Sequence, residues 1–431
     1  MKQRILNTLF AALMVLSAQA QSGTNSPYSQ YGLGILSDRS QGFSRGMNGV
    51  GLALRKGNIV NTLNPASYSA IDSLTMIFDA GLSGQVTSFK EGGKSINANN
   101  ADFEYAAGCF RLLRNVGVGF GVLPYSNVGY TYTSNTYVDR ETGTIPETYT
   151  GSGGLHQVFV GMGWNVLKPL SIGVNASYLW GSYKRSVGST GTSSVNSLSK
   201  VYSASVSSYN IEMGLQWQQP LNRKDMLTIG VTYGLGHKLG ADAECSVYNS
   251  DVTTSVVDTT TTVIGNALSL PTSFGVGLGW THADKLFVGA DLSLQKWGSE
   301  PFPSFSKGGT NGAGTYTLND GQLKDRYRVA LGGDYVPSSQ SRHLLNRVHY
   351  RFGAGYATPY IRVNGQDGPK ELSLSAGLGI PLQNSYNNRS LLNISFQWAH
   401  SSADRLITEN TFRINLGLTF NERWFAKWRI D

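Results

Sequence analysis

The sequence is poor in charged residues, poor in cysteine and, beyond residue 20, free of long apolar runs. Charged residues make up 14% of the 431 residues, against roughly 25% in an average globular chain. No later run approaches the roughly 18 apolar residues that a membrane-spanning helix requires, which excludes a helical membrane protein. Cys109 and Cys245 are the two cysteines, so a disulfide framework of the kind found in small secreted domains is excluded as well.

Glycine and aromatic residues are abundant instead. The chain has 52 Gly, 22 Tyr, 17 Phe and 8 Trp, which is too much apolar and aromatic surface for a disordered protein. The formal net charge of +8 is spread along the chain, so the sequence predicts no nucleic-acid partner.

The first twenty residues have the three parts of a secretory signal peptide. Lys2 and Arg4 precede an apolar stretch from 5 to 16, and Ala18-Gln19-Ala20 forms an A-x-A cleavage site. Residues 1–20 are therefore predicted to be removed, leaving Gln21 as the first mature residue.

Alternation of apolar with polar or small residues dominates the rest of the chain. In the first such segment Leu74, Met76, Phe78, Ala80 and Leu82 share one parity, and segments of about ten to fifteen residues are long enough for tilted strands to cross a bilayer. Fourteen segments are predicted: 74–88, 101–113, 116–132, 155–166, 171–185, 203–218, 226–237, 268–280, 286–297, 325–336, 347–357, 371–381, 390–400 and 410–420.

The connections and the aromatic residues indicate what these strands build. Short links alternate with mostly longer polar ones, such as 89–100, 133–154 and 238–267, as in outer-membrane barrels with short periplasmic turns and long outer loops. Aromatic residues of the apolar parity stand near both ends of the strands, as two interfacial girdles would: Trp164, Trp217, Trp280 and Tyr335 at one end, and Trp180, Tyr233, Tyr356 and Trp398 at the other. A soluble β-sandwich or propeller has no reason to place them there. The sequence therefore predicts an all-β, 14-stranded antiparallel transmembrane β-barrel in the outer membrane of a Gram-negative bacterium.

The region before the first strand resembles the start of the FadL-like family of long-chain fatty acid and hydrophobic compound transporters. The resemblance rests on a Gly-rich stretch from Arg45 to Ala53, including Gly46 and Gly49, and on Asn64-Pro65-Ala66. It also rests on later stretches such as Tyr327 to Tyr335, and the C-terminal tail is similar to Bacteroidetes-type barrels. The resemblance implies a hatch inside the lumen, so the domains are expected to be a signal peptide (1–20), a hatch (21–72), a barrel (73–421) and a periplasmic tail (422–431).

The third strand contains a proline in an unusual position. Pro124 has no N–H for the ladder and lies within Leu123-Pro124-Tyr125-Ser126-Asn127, so it marks a bulge or a break. A structurally harmless bulge is one interpretation. The resemblance implies another, because that family has an inward kink in its third strand that opens a lateral window to the bilayer.

Charged residues occupy the inward parity, where a buried charge has to be paired. They are Arg326, Arg328, Arg351 and Arg413, with Asp79, Asp102, Glu104, Glu212, Asp291 and Asp334. They are expected to form ion pairs that brace the hatch; alternatively, one arginine binds a ligand carboxylate. Ile77, Phe110, Phe159, Leu179 and Phe287 are also assigned to the lumen, whereas Cys109 is assigned to the lipid face.

The expected function is passive uptake of hydrophobic, fatty-acid-like small molecules through a plugged, porin-like barrel with a lateral window at strand three. The expected partners are the lipid bilayer and a hydrophobic ligand, and no cofactor, metal or catalytic residue is predicted. A PorV-like scaffold for client proteins of a secretion system is the alternative, which the same barrel would serve. An outer-membrane lipid hydrolase is a third reading, although no Ser, His and acid stand at recognisable motif spacing.

Overall fold

The computed structural model describes residues 23–139, 143–189, 196–251, 253–306, 315–382 and 390–423. The expected signal peptide and the C-terminal tail from residue 424 onward lie outside the described residues. Within the described ranges, no helix is both long and apolar enough to cross a membrane.

Fourteen strands of the described residues form one closed antiparallel barrel. Each strand pairs with the next one along the chain, and the last strand pairs with the first. Every predicted segment corresponds to one of them. The strands are β1 (Thr75–Glu91), β2 (Lys94–Leu113), β3 (Val116–Asp139), β4 (Gly143–Leu167), β5 (Leu170–Ser189), β6 (Ser197–Pro220), β7 (Asp225–Gly234), β8 (Ser273–His282), β9 (Leu286–Gln295), β10 (Arg326–Tyr335), β11 (His349–Ala357), β12 (Lys370–Leu382), β13 (Ser390–Ser402) and β14 (Thr408–Arg423).

The outer face of the barrel is an apolar belt bounded by aromatic side chains. Phe78, Leu82 and Val86 on β1 are exposed, and the same parity is exposed around the barrel. Trp164 is 47% exposed and Tyr335 is 48% exposed near the end with short turns. A soluble protein would bury such a belt, whereas a bilayer covers it. The chain is a barrel of the outer membrane of a Gram-negative bacterium.

The prediction of long loops was wrong at several places, because the strands continue beyond the apolar belt. β1 and β2 extend to Glu91 and Lys94, and β3 and β4 extend to Asp139 and Gly143. Past β7, strand Ala243–Ser250 pairs with the upper part of β6, and strand Val257–Ile264 pairs with Ala243–Ser250. These extensions are rich in Ser, Thr and Tyr. Because neither face contacts lipid, they do not need to alternate apolar with polar residues, and the alternation in the sequence therefore did not predict them.

The predicted parity was also wrong in the lower half of β2. Gly81 pairs with Tyr105 and Leu82 with Phe103, so Glu104 is an extra residue in a β-bulge. A one-residue insertion exchanges the two faces of all later residues. Consequently Cys109 is buried inside the barrel, and Phe110 lies on the outside, with its ring 6.4 Å from that of Phe120.

Cys245 falls within the connection predicted at 238–267, and in the structure it lies in strand Ala243–Ser250. Both cysteines are buried and free.

Residues 23–72, called the lumenal segment below, lie inside the barrel against inward-facing glycines. The segment contains a short helix, Gly42–Arg45, and two 3-10 turns, Pro27–Gln30 and Pro65–Ala70. A Cβ added at Gly117 of β3 would stand 1.9 Å from the carbonyl oxygen of Tyr68, and one added at Gly173 of β5 would stand 2.4 Å from the carbonyl carbon of Pro65. The glycine-rich wall therefore lets backbone pack directly on backbone, which is one structural use of the abundant glycine.

Candidate ligand site in the barrel lumen

A cavity of about 370 Å³ separates part of the lumenal segment from the barrel wall. Its lining includes Ile35, Leu36 and other residues of the lumenal segment, together with inward side chains of several strands. Seven of the ten charged residues that were assigned to the lumen line it: Asp102, Glu104, Glu212, Asp291, Arg326, Arg328 and Arg413. Arg351 is not among them.

Arg351 is buried in a packed cluster beside the helix Gly42–Arg45. Its Nε donates to Asp334 at 3.1 Å, its Nη1 donates to Asn393 at 2.7 Å, and its guanidinium lies 3.8 Å from the centre of the Phe43 ring. Lys56 of the lumenal segment pairs with the same Asp334 at 2.9 Å. Arg351 therefore helps to fix the lumenal segment to the wall and does not line the cavity.

Two further ion pairs join the lumenal segment to the wall. Arg45 pairs with Glu104 at 2.8 Å, and both side chains are buried. Arg39 pairs with Glu212 through both carboxylate oxygens. The sequence pattern identified the wall carboxylates but not their partners Arg39, Arg45 and Lys56. These partners could have been suspected because they are basic residues in a stretch otherwise rich in Gly, Ser and Asn.

The other cavity-lining candidates hold polar groups of the backbone or of neighbouring strands. Asp291 accepts from the N–H groups of Gly51 and Leu52, at 2.7 and 2.9 Å. Arg328 donates to the carbonyl of Asn48 at 2.7 Å. Arg413 donates to Gln85 on β1, at 2.9 Å from Nε and 2.8 Å from Nη2.

Asp38 adds a negative charge of the lumenal segment to this cavity. Burial alone would raise the pKa of Asp38, but the positive charges of Arg45 and Arg328 outweigh burial and lower its pKa to about 2. The group is therefore a carboxylate at neutral pH.

Arg326 differs from the other arginines that line the cavity. Among the described residues, no hydrogen bond to its side chain and no carboxylate within 4.0 Å of it is found. Glu371 and Asp38 act on it electrostatically from farther away. Its guanidinium can therefore form a charge-assisted hydrogen bond with an anionic group that enters the cavity.

The Asn64-Pro65-Ala66 motif anchors the second 3-10 turn. The Asn64 side chain accepts from the N–H of Ala66 at 3.1 Å and donates to the carbonyls of Leu52, at 2.9 Å, and Leu215, at 3.1 Å. Pro65 starts the turn, where no N–H is needed, and Ala66 is fully buried.

The two predicted hatch glycines also touch the wall. A Cβ at Gly46 would lie 3.0 Å from Cβ of Arg351, and one at Gly49, whose φ is +77°, would lie 2.8 Å from Nη2 of Arg328.

The barrel wall is incomplete between β2 and β3. The last pair between these strands is Ala106 with Val122, although β2 continues beside β1 and β3 continues beside β4. At this point Pro124 pairs with His156 and Ser126 with Leu155, so Tyr125 is the extra residue of a bulge. Within the described residues, residues 94–105 of β2 and residues 123–139 of β3 therefore do not pair with each other.

Residues of the lumenal segment occupy the edge that β3 leaves free. Ile35 pairs with Asn127 and Leu36 with Ser126. Asn127 also donates to Asp102 of β2 at 3.3 Å, and a Cβ at Gly23 would lie 1.9 Å from Oδ2 of Asp102. Because Gly23, Ile35, Asp102 and Asn127 all line the cavity, the cavity extends to this gap.

Comparison with known proteins places the chain in a family. The family model described as BamG matches residues 1–431. The chain belongs to the BamG family. The search of curated proteins finds no match.

Solved structures similar to this BamG-family chain have the fold of FadL-type channels. A Pseudomonas aeruginosa FadL homologue has a TM-score of 0.62 at 13% identity, covering 88% of this chain and 98% of the homologue. The Ralstonia pickettii toluene transporter TbuX has a TM-score of 0.61 at 16% identity, covering 88% and 97%. The Pseudomonas putida toluene transporter TodX has a TM-score of 0.59 at 16% identity, covering 91% and 99%. At these identities the likeness establishes the fold, and it confirms the predicted 14-stranded barrel.

Proposed function

We propose that this barrel takes up hydrophobic or amphiphilic small molecules by passive diffusion, with residues 21–72 acting as the hatch of a barrel that spans 73–421. The observation that supports the proposal is the gap in pairing between β2 and β3, because residues that line the lumenal cavity lie at this gap. Similarity in fold to a FadL homologue and to two toluene transporters supports the same function.

The cavity lining favours an amphiphile with an anionic head group over a pure hydrocarbon. Leu36, Leu52 and Leu63 of the lumenal segment supply apolar surface, while Arg326 supplies an unpaired cation. A long-chain fatty acid has both parts, since an alkyl chain can contact the apolar side chains while its carboxylate bonds to the guanidinium.

The proposed route leads from the outer end to the cavity and then sideways through the gap into the bilayer. Leu123, Pro124, Tyr125, Ser126 and Asn127 form one edge of this lateral window. Residues 23–36 cover the gap and have to move for a ligand to leave. The stretch from 38 to 56 stays in place, because its ion pairs with the wall are buried or partly buried.

The test is to replace the window residues with residues that favour a regular strand. Pro124→Val restores an N–H to β3, and Asn127→Val adds a second β-branched residue, so the two changes favour a regular β3 that narrows the gap. Uptake of a labelled long-chain fatty acid by cells carrying this double variant is expected to fall severalfold. Folding is checked by the heat-dependent migration of the barrel on a denaturing gel.

A matched control lies on the same pair of strands. Asn135 of β3 pairs with Pro146 of β4 in the extension beyond the membrane, so Asn135→Val with Pro146→Val makes the same chemical changes away from the gap. Uptake is expected to remain at the wild-type rate. If the window variant folds and transports normally, the lateral route is wrong. Co-purification of a stoichiometric protein with an empty lumen would instead favour the scaffold function.

A further inference from the structure

The turns at the periplasmic end of the barrel carry exposed basic side chains. The five described turns between β2 and β3, β4 and β5, β6 and β7, β8 and β9, and β10 and β11 contain six of them: Arg114, Lys168, Arg223, Lys224, Lys285 and Arg342. Asp284 is the exposed acidic residue of these turns. Within the described residues, none of the six basic side chains pairs with a carboxylate within 4.0 Å.

Exposed leucines accompany the basic residues in four of these turns. Leu113 is 63% exposed beside Arg114, Leu167 is 57% exposed beside Lys168, and Leu221 is 57% exposed near Arg223. Leu345, in the short helix Leu344–Arg347 of the last turn, is 71% exposed. An apolar side chain next to a long basic one is the arrangement by which proteins hold a membrane interface, since the first enters the acyl region and the second reaches the phosphates.

The depth of these turns follows from the aromatic girdle. Trp164, Trp217 and Trp280 stand on the outer face within a few residues of Lys168, Leu221 and Lys285 respectively. Because such tryptophans mark the boundary between hydrocarbon and head groups, the basic residues directly beyond them lie among the head groups of the periplasmic leaflet.

The outer connection between β7 and β8 has a different charge pattern. From 235 to 272 it contains Lys238 together with Asp242, Glu244, Asp251 and Asp258. This connection therefore lacks the excess of basic residues found in the five periplasmic turns.

We propose that this rim, made of the five turns, binds anionic phospholipid head groups of the periplasmic leaflet. A bilayer accommodates the cations and the leucines together, whereas an acidic soluble partner would satisfy the cations alone. Each basic side chain near a charged membrane surface adds to the attraction, and salt screens it. The proposal is independent of what the lumen transports.

The test compares two fourfold variants reconstituted with equal amounts of phosphatidylcholine and phosphatidylglycerol. The rim variant is Lys168→Gln, Arg223→Gln, Lys224→Gln and Lys285→Gln. The control is Lys90→Gln, Lys94→Gln, Lys238→Gln and Lys296→Gln, which removes four exposed charges from the outer end. Native mass spectrometry after extraction in detergent counts the molecules of each lipid retained per barrel.

The wild type and the control are expected to retain phosphatidylglycerol in severalfold preference, and the rim variant is expected to lose that preference. Equal preference in the rim variant and the wild type would overturn the proposal, as would an equal loss in the control. Raising the salt concentration tenfold provides a second measurement on the wild type alone. Its preference for phosphatidylglycerol should then fall; a preference that salt leaves unchanged contradicts the proposal even if the rim variant does not fold.

Discussion

The Asn127 side chain on β3 donates a hydrogen bond to Asp102 on β2 at 3.3 Å, across the place where the two strands no longer pair. This side-chain contact therefore bridges the two strands where their backbones no longer pair. On the proposed lateral route, a ligand has to break this contact and pass a carboxylate.

Replacing Asp102 by leucine is expected to speed this exit. Asp102→Leu removes the acceptor and lines the gap with hydrocarbon, and a hydrogen bond to a charged group contributes about 1.5–3 kcal/mol. Uptake of an apolar probe such as toluene should rise severalfold, measured as the initial rate in cells or vesicles. Asp320→Leu, which changes an exposed carboxylate in the outer connection between β9 and β10, serves as the control; a rise of the same size there would show that the gap is not responsible.

Arg326 is expected to decide whether the cavity prefers an anionic ligand. Arg326→Gln removes the unpaired cation from the lining, and a lost charge-assisted hydrogen bond corresponds to roughly tenfold or more in Kd. Binding of a long-chain fatty acid to the purified barrel should weaken by that factor, while toluene binding should not change. Isothermal titration or fluorescent-ligand displacement measures both.

The control for this prediction is Arg362→Gln, because Arg362 is an exposed arginine that pairs with Asp367 outside the cavity. If Arg326→Gln and Arg362→Gln bind the fatty acid equally well, the anionic head group is held elsewhere or is not recognised.

The number of strands and most of their faces could be predicted from the sequence, because lipid on one side imposes an alternation that water does not. That rule ends where the lipid ends, so it could not show that β3 and β4 continue to Asp139 and Gly143. It also could not place the bulge at Glu104, since an inserted residue changes the parity without changing the composition. Cys109 and Phe110 were assigned to the wrong faces for this reason alone.

The candidate site was predictable only in part. Inward parity identified Arg328, Arg413, Glu212 and Asp291 as facing the lumen, and they do line the cavity. Their partners could not be predicted, because the lumenal segment has no periodic structure from which to tell which residue meets which strand. The unpaired state of Arg326 depends on that packing and therefore requires the structure.

The buried pair of Arg45 and Glu104 is expected to hold the lumenal segment in place. In the native pair the two side chains are 2.8 Å apart. Arg45→Met leaves the Glu104 charge buried without its partner, and removing one member of such a pair lowers stability by about 3–5 kcal/mol. Hydrogen exchange of residues 40–50 should accelerate while the barrel strands stay protected.

Glu104→Gln in addition to Arg45→Met should restore part of the protection, because the side chain at 104 is then no longer a buried charge without its partner. Arg362→Met breaks an exposed pair and should change protection little, since exposed ion pairs contribute about 0–1 kcal/mol. Equal exchange rates in Arg45→Met and the wild type would show that the pair does not anchor the segment.

Gly117 is expected to be essential for seating the Asn64-Pro65-Ala66 turn. An alanine Cβ there would lie 1.9 Å from the Tyr68 carbonyl oxygen, so the turn has to move, and overpacking of this kind typically costs about 1–3 kcal/mol. Hydrogen exchange at residues 64–70 should speed up by about tenfold in Gly117→Ala. Gly84→Ala is the matched control, because Gly84 lies on the membrane face of β1 with no atom within 4 Å of its added Cβ. Acceleration in both variants would mean that glycine is needed for the strands themselves; acceleration in Gly117→Ala alone would assign the effect to close contact between the wall and the lumenal segment.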